Sequence, residues 1–334
     1  MKTIQSLVFI ILILLVLDVS VSPILAKAPT TPKILFTSAR DGNDEVYIMN
    51  PDGSEKVNLT RHHAHDSDAV WSPTGEQILF VSDRGGTRDL YLMRPDGTDV
   101  RRVFRRKIKT RREDPTWAPD GKRIAYWSPN SQQGPTGIYV ATLDEQDVEY
   151  FAKGSNPAWS PDGTEIAYGA ADPKNAWLIL ANVRTRKQAF LLPKQALPWQ
   201  RTPSWSPTGN KLVFIGNNDP LPVILDWELQ KAWKVKRTIF IVNRDGTGLQ
   251  QLTDEAGQEA WAPAISPDGE HVIYIQRTNG ENQIFKLDVN SGIRTQLTHI
   301  SWNFDGDWFD PGYALPVSPQ PHLLTTTWGD VKKQ

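Results

Sequence analysis

The chain contains no cysteine among its 334 residues. That excludes disulfides, thiolate metal sites and lipid attachment through an N-terminal cysteine. It also has no apolar run long enough to span a bilayer: the longest, Leu7 to Leu17, is eleven residues, the length of a signal-peptide core. Charge of one sign is missing as well. Lys and Arg number 37 against 38 Asp and Glu, a net charge of −1, which argues against wholesale nucleic-acid binding. No G-x-S-x-G elbow, phosphate loop or nucleophile triad is visible in the sequence. Several common enzyme classes are thereby left without their chemistry.

A ten-residue motif is written five times: WSPTGEQILF from Trp71, WAPDGKRIAY from Trp117, WSPDGTEIAY from Trp159, WSPTGNKLVF from Trp205 and ISPDGEHVIY from Ile265. A sixth, altered copy, DWFDPGYALPV, contains Trp308. Successive copies are 46, 42, 46, 60 and 43 residues apart. A period in the forties built from short strands predicts a β-propeller. In the second unit, strands are expected at 69–72, 77–82, 88–93 and 100–104. The T-G and D-G pairs supply the positive φ of tight hairpins, and the preceding Pro presets φ for the turn. Most of the motif Trp residues are expected to pack between blades rather than form stacking platforms.

The repeat begins at Lys33 with KILFTS, already a second-strand sequence, and ends with a lone first strand. The expected architecture is therefore an all-β, six-bladed propeller. Its ring is closed by a C-terminal strand, Asp307–Phe309, which completes the first blade and leaves no open edge. Residues 1–26 read as a signal peptide cleaved after Ala26, 27–32 as a short linker, 33–310 as the propeller and 311–334 as a C-terminal tail. A signal without cysteine places the protein in a periplasm or outside the cell. A monomer is expected, with no membrane span after cleavage.

The stretches FTSARDGNDEVYIMNPDGSEKVNLT from Phe36 and VNRDGTGLQQLT from Val242, with the WSPDG repeats, resemble the TolB-type propeller repeat over residues 33 to about 310. The resemblance implies a propeller fold. For function it implies a scaffold or a gating module, because this repeat serves both. TolB carries an α/β domain before its propeller, and prolyl-oligopeptidase-like enzymes carry a hydrolase domain. Neither is seen in this sequence, so a free-standing propeller is expected.

Candidate sites follow from loop lengths. One face carries short S-P-D-G and D-G turns. The other carries variable loops: 61–68, the stretch through Arg112, 129–136, 193–201, 299–307 and an insert at 217–236. Function is expected on that variable face. The residue three before each first-strand motif should line the inner mouth of the channel: Asp68, Asp114, Asn156, Thr202, Ala262 and Asp305. These are candidate ligand-binding residues that could hold Ca²⁺ or a cationic group, or could simply cap local backbone. No other cofactor is expected. His63 and His65 with Asp66 form a candidate transition-metal cluster. Arg101, Arg102, Arg105, Arg106, Lys107, Lys109, Arg111 and Arg112 form a candidate anion patch for an anionic glycan, phosphate or a lipid headgroup, or a solvated loop that aids solubility. The insert, with Leu225, Trp227 and Trp233 and an expected helix over 225–236, is a candidate contact for an envelope or extracellular protein. The leading expectation is a non-enzymatic scaffold that binds a protein or ligand. The alternative is a metal-dependent glycan lyase or lactone hydrolase, in which Asp68, Asp114 and Asp305 hold the ion and His63 or His65 is the base.

Overall fold

The computed structural model describes residues 27–105, 110–129, 134–143, 147–222, 226–254 and 258–316. Apart from one short helix the described chain is strand and turn. The second set of strands is β4 (Asp66–Trp71), β5 (Ile78–Ser82), β6 (Asp89–Met93) and β7 (Arg101–Arg102). The third is β8 (Glu113–Trp117), β9 (Arg123–Ser128), β10 (Gly137–Thr142) and β11 (Val148–Ala152). The fourth is β12 (Ser155–Trp159), β13 (Glu165–Ala171), β14 (Ala176–Asn182) and β15 (Gln188–Phe190). The fifth is β16 (Trp199–Trp205), β17 (Lys211–Asn217), β18 (Thr238–Asn243) and β19 (Gln250–Gln251). The sixth is β20 (Ala260–Ile265), β21 (His271–Thr278), β22 (Glu281–Asp288) and β23 (Arg294–Gln296). A single parallel pair, Ala176 with Trp199, bridges the fourth and fifth sets.

The first set combines both ends of the repeat region. β1 (Lys33–Ser38), β2 (Glu45–Met49) and β3 (Val57–Asn58) form a sheet with β24 (Asn303–Phe309), in the order β24-β1-β2-β3. β24 runs antiparallel to β1, with Ile34 opposite Trp308 and Leu35 opposite Asp307.

Apolar runs such as Ile78 to Val81 are buried on both faces, and the two-residue period divides them between neighbours. Ile78 and Phe80 pack with Leu35 and Val46 of the first sheet, while Leu79 and Val81 pack with Ile124 and Tyr126 of the third. The same division recurs between every successive pair of sheets. The last such cluster joins Ile273 and Ile275 of the sixth sheet to Ile34 and Phe36 of the first. Each fully buried Ile, Leu or Phe contributes about 1.5–3 kcal/mol, so these six layers replace a central core. Burial also explains the motif Trp residues: Trp71, Trp117, Trp159 and Trp205 are 5–8 % exposed.

The S-P-x-G turns have a common anchor. The buried Ser72 Oγ accepts from Gln77 N at 3.0 Å, and Ser160, Ser206 and Ser266 do the same for Glu165, Lys211 and His271. Gly75 takes φ +72° in its turn, where a Cβ would also strike the Phe309 ring.

The first strands begin earlier than the sequence pattern suggests: β4 starts at Asp66, not at position 69. A β-bulge in each first strand breaks the alternation that marks a strand in sequence. The helix of the insert, α1 (Trp227–Lys234), is shorter at both ends than its apolar pattern implies. Asp226 sets its start by accepting from Glu228 N and Leu229 N.

Candidate functional site: an acidic cluster on the inner strands

The six first strands touch in sequence, β4 with β8, β8 with β12, β12 with β16, β16 with β20 and β20 with β24, and β24 touches β4. At each bulge one residue adopts the left-handed conformation. These are Asp68, Asp114, Asn156, Thr202, Ala262 and Asp305, with φ between 48° and 52°. They are the same six positions that sequence spacing selects. Asp and Asn tolerate this backbone better than other non-glycine residues; Thr and Ala are strained there.

Four of the six form a polar cluster. Asn156 Nδ2 donates to Asp114 Oδ2 at 3.1 Å, and Ser67 Oγ donates to Asp68 Oδ2 at 3.2 Å. The Asp305 carboxyl faces that of Asp68. Burial first, and then the charges of Asp68 and Asp114, hold the Asp305 carboxyl well above the ordinary carboxylate range. Asp114 is pushed up to about 7 by burial, with the charges of Asp68 and Glu113 adding to it. Two cations flank the cluster. Arg88 pairs with Glu113 at 3.2 Å and acts on Asp68 and Asp305 from there. Arg201, whose own pKa burial lowers, acts on Asp114. Thr202 and Ala262 bring no charge, so the acidity lies on one side of the inner strands.

The other candidates are dispersed. Asp66 is fully buried and pairs with Arg84 at 2.7 Å. His65 Nδ1 lies 3.2 Å from Asp44, while His63 stacks on His62 with ring centres 4.2 Å apart. Among the described residues, ligand atoms within 4.8 Å of one another are offered by Asp268, Glu270 and His271, and not by His63, His65 and Asp66 or by the inner acids. In the basic stretch, Arg112 is 3 % exposed and donates to Asp89 Oδ1 at 2.8 Å, stacked over Phe104. Arg102 also pairs with Asp89, and Arg111 lies 3.6 Å from Glu113. Arg105 is a described residue at the exposed end of this stretch, whereas Arg106, Lys107 and Lys109 lie outside the described residues. Two of the stretch's arginines thus neutralise a buried carboxylate rather than forming a patch. In the insert, Trp227 is 67 % exposed and Trp233 is buried, and Leu225 lies outside the described residues. The leader 1–26 and residues from 317 onward also lie outside them. Among the described residues no helix is long and apolar enough to cross a membrane.

Sequence reasoning missed Asp307. Its Oδ2 accepts the Trp71 amide at 2.7 Å, and burial pushes its carboxyl up to about 7. Thr116 and Ser204, which also immediately precede a motif copy, meet the backbone N–H of Trp159 and Ile265 in the same way. The signal was a polar residue directly before the motif. The S-P-x-G face is not plain either. A cavity of about 360 Å³ opens there between Trp71, Trp117 and Trp159, with Tyr313 and Leu315 in its wall, and Leu315 N is bonded to Pro73 O at 2.9 Å.

The family model of the TolB beta propeller domain matches residues 19–156 and 154–317. The chain belongs to that family. Its fold is similar to TolB from Acinetobacter baumannii, with a TM-score of 0.68 at 16% identity, covering 83% of this chain and 66% of that one. It is also similar to a putative TolB from Agrobacterium tumefaciens, with a TM-score of 0.61 at 17% identity, covering 84% and 91%. A dipeptidyl-peptidase 5 from Porphyromonas endodontalis is 29% identical over 125 residues, a match spanning 37% of this chain and 17% of that protein. The chain thus spans less than a fifth of that relative.

Proposed function

We propose that this chain is an exported, non-enzymatic scaffold: six four-stranded blades closed into one ring by β24, binding a protein partner on the variable-loop face. The inner acidic cluster receives a cationic group that the partner presents. One observation carries this reading. Asp68, Asp114 and Asp305 are gathered beside Asn156, where burial first and then the charges of Asp68 and Asp114 hold the Asp305 carboxyl well above its ordinary range, and an incoming cation would relieve that repulsion. The cluster is looser than the 4.8 Å grouping of Asp268, Glu270 and His271, which suits a guanidinium or ammonium better than a closely coordinated Ca²⁺. Export rests on the apolar leader, and the closed ring on the pairing of β24 with β1 and the contact of β24 with β4. The lyase or lactonase reading needs His63 or His65 beside the acids. His65 faces Asp44 and His63 faces His62, so binding is the better supported of the two.

The test is calorimetry at pH 8 with a short peptide carrying one arginine, its citrulline twin and CaCl₂. The arginine peptide should bind. The citrulline twin, and a protein carrying Asp68→Asn with Asp305→Asn, should each lose at least tenfold. Binding of calcium without the peptide would convert the reading to a metal site. Binding of neither probe, or binding indifferent to the double substitution, would overturn it.

A further inference from the structure

A second site lies beside α1. A groove of about 880 Å³ opens between α1 and the sixth sheet, within the range of small-ligand sites, roughly 300–1,000 Å³. One wall is α1, with Trp227, Lys231 and Lys234 exposed. The other is the sixth sheet, with Trp261, Arg277 and Asn282. The acid in the lining, Glu259, is paired with Arg237, so its charge is spent. Lys231 and Lys234 have no ion-pair partner among the described residues, and Arg277 is held by Gly280 O at 3.1 Å and by stacking over Trp302. Three cations therefore face one cavity without a counter-charge.

Two further features narrow the ligand. Trp227 is 67 % exposed on a helix whose other tryptophan is buried, so its indole face is offered to the groove's contents. Asn282 also lines the groove, and its side-chain amide offers both a donor and an acceptor. Indole faces suit the C–H face of a pyranose ring, an amide suits vicinal hydroxyls, and fixed cations suit carboxylates. A peptide is disfavoured because β21 and β22 are interior strands of their sheet, leaving no edge there for strand addition.

We infer that this groove binds an anionic oligosaccharide with carboxylates on its pyranose rings. The inference is independent of the inner acidic cluster. The purified protein is titrated with a galacturonic acid trimer, a neutral maltotriose control and a glutamate-rich hexapeptide, with tryptophan fluorescence and calorimetry as readouts. The trimer should quench fluorescence and bind, the neutral sugar should bind at least tenfold more weakly, and the hexapeptide should not bind. Trp227→Ala and Arg277→Gln, both at exposed positions, should each weaken the trimer at least tenfold with the melting temperature unchanged. Absence of trimer binding, binding unaffected by both substitutions, or hexapeptide binding as tight as the trimer's would overturn the assignment. So would loss of trimer binding in Asp68→Asn with Asp305→Asn, which would place it at the inner cluster.

Discussion

Asp307 Oδ2 takes the backbone N–H of Trp71 at 2.7 Å, tying the last described strand of the fold to the first strand of the second sheet. The same carboxyl is pushed up to about 7 by burial. Because this pKa is raised on folding, the native state binds the proton more tightly than the unfolded chain. Stability is then full below about pH 4, declines as pH rises toward about 7, and levels off above. Asp307→Asn keeps an acceptor for Trp71 and removes the titration. Urea denaturation at pH 4.5 and 7.5 should show a smaller loss between the two for the variant than for the wild type.

The inner acids titrate in the same direction. Asp114 is pushed up to about 7 and Asp305 well above its ordinary range, so cations compete with protons for the cluster. Affinity for the arginine peptide should rise from pH 6 to pH 8, with proton release visible as a buffer-dependent heat. Without ligand, Asp305→Asn should raise the melting temperature at pH 8, because a like charge is removed beside Asp68.

Ala262 and Thr202 occupy the strained φ of 48° and 49° that aspartate or asparagine takes in the other four first strands. Nothing in the described contacts compensates Ala262 for it. Ala262→Gly should stabilise the protein by about 0.5–1 kcal/mol, read from the urea midpoint at unchanged slope.

The blade repeat and the six inner positions were legible because both depend on strictly local signals. The Ser-Pro-x-Gly turn fixes where each second strand starts, and a fixed offset of three residues then finds Asp68, Asp114 and Asp305. What could not be read were properties decided by distant partners. Arg112 and Arg102 look like surface charge until Asp89, 23 and 13 residues away, is found buried between them. Asp66 looks available to His63 and His65 until Arg84 is seen to claim it. Asp307 and Trp71 are 236 residues apart, and no local pattern announces that pair. The groove residues Arg277 and Asn282 carry no motif at all; only the placement of α1 opposite the sixth sheet gives them a shared cavity.

The two tryptophans of α1 make opposite forecasts. Trp233 is 6 % exposed, meets Trp199 edge-on with ring centres 4.9 Å apart, and donates Nε1 to Asp219 O at 2.9 Å. Its own carbonyl is held by Asn217 Nδ2 at 2.8 Å. Trp233→Ala would empty a packed site and orphan the Asp219 carbonyl, and should cost about 3–5 kcal/mol. Trp227 is 67 % exposed, and Trp227→Ala should stay within about 0.5 kcal/mol of wild type. Chemical denaturation of both variants separates the two roles: one tryptophan pins the insert to the fifth sheet, and the other is displayed by it. Equal losses would mean that α1 is held by both faces, leaving no indole free for the groove.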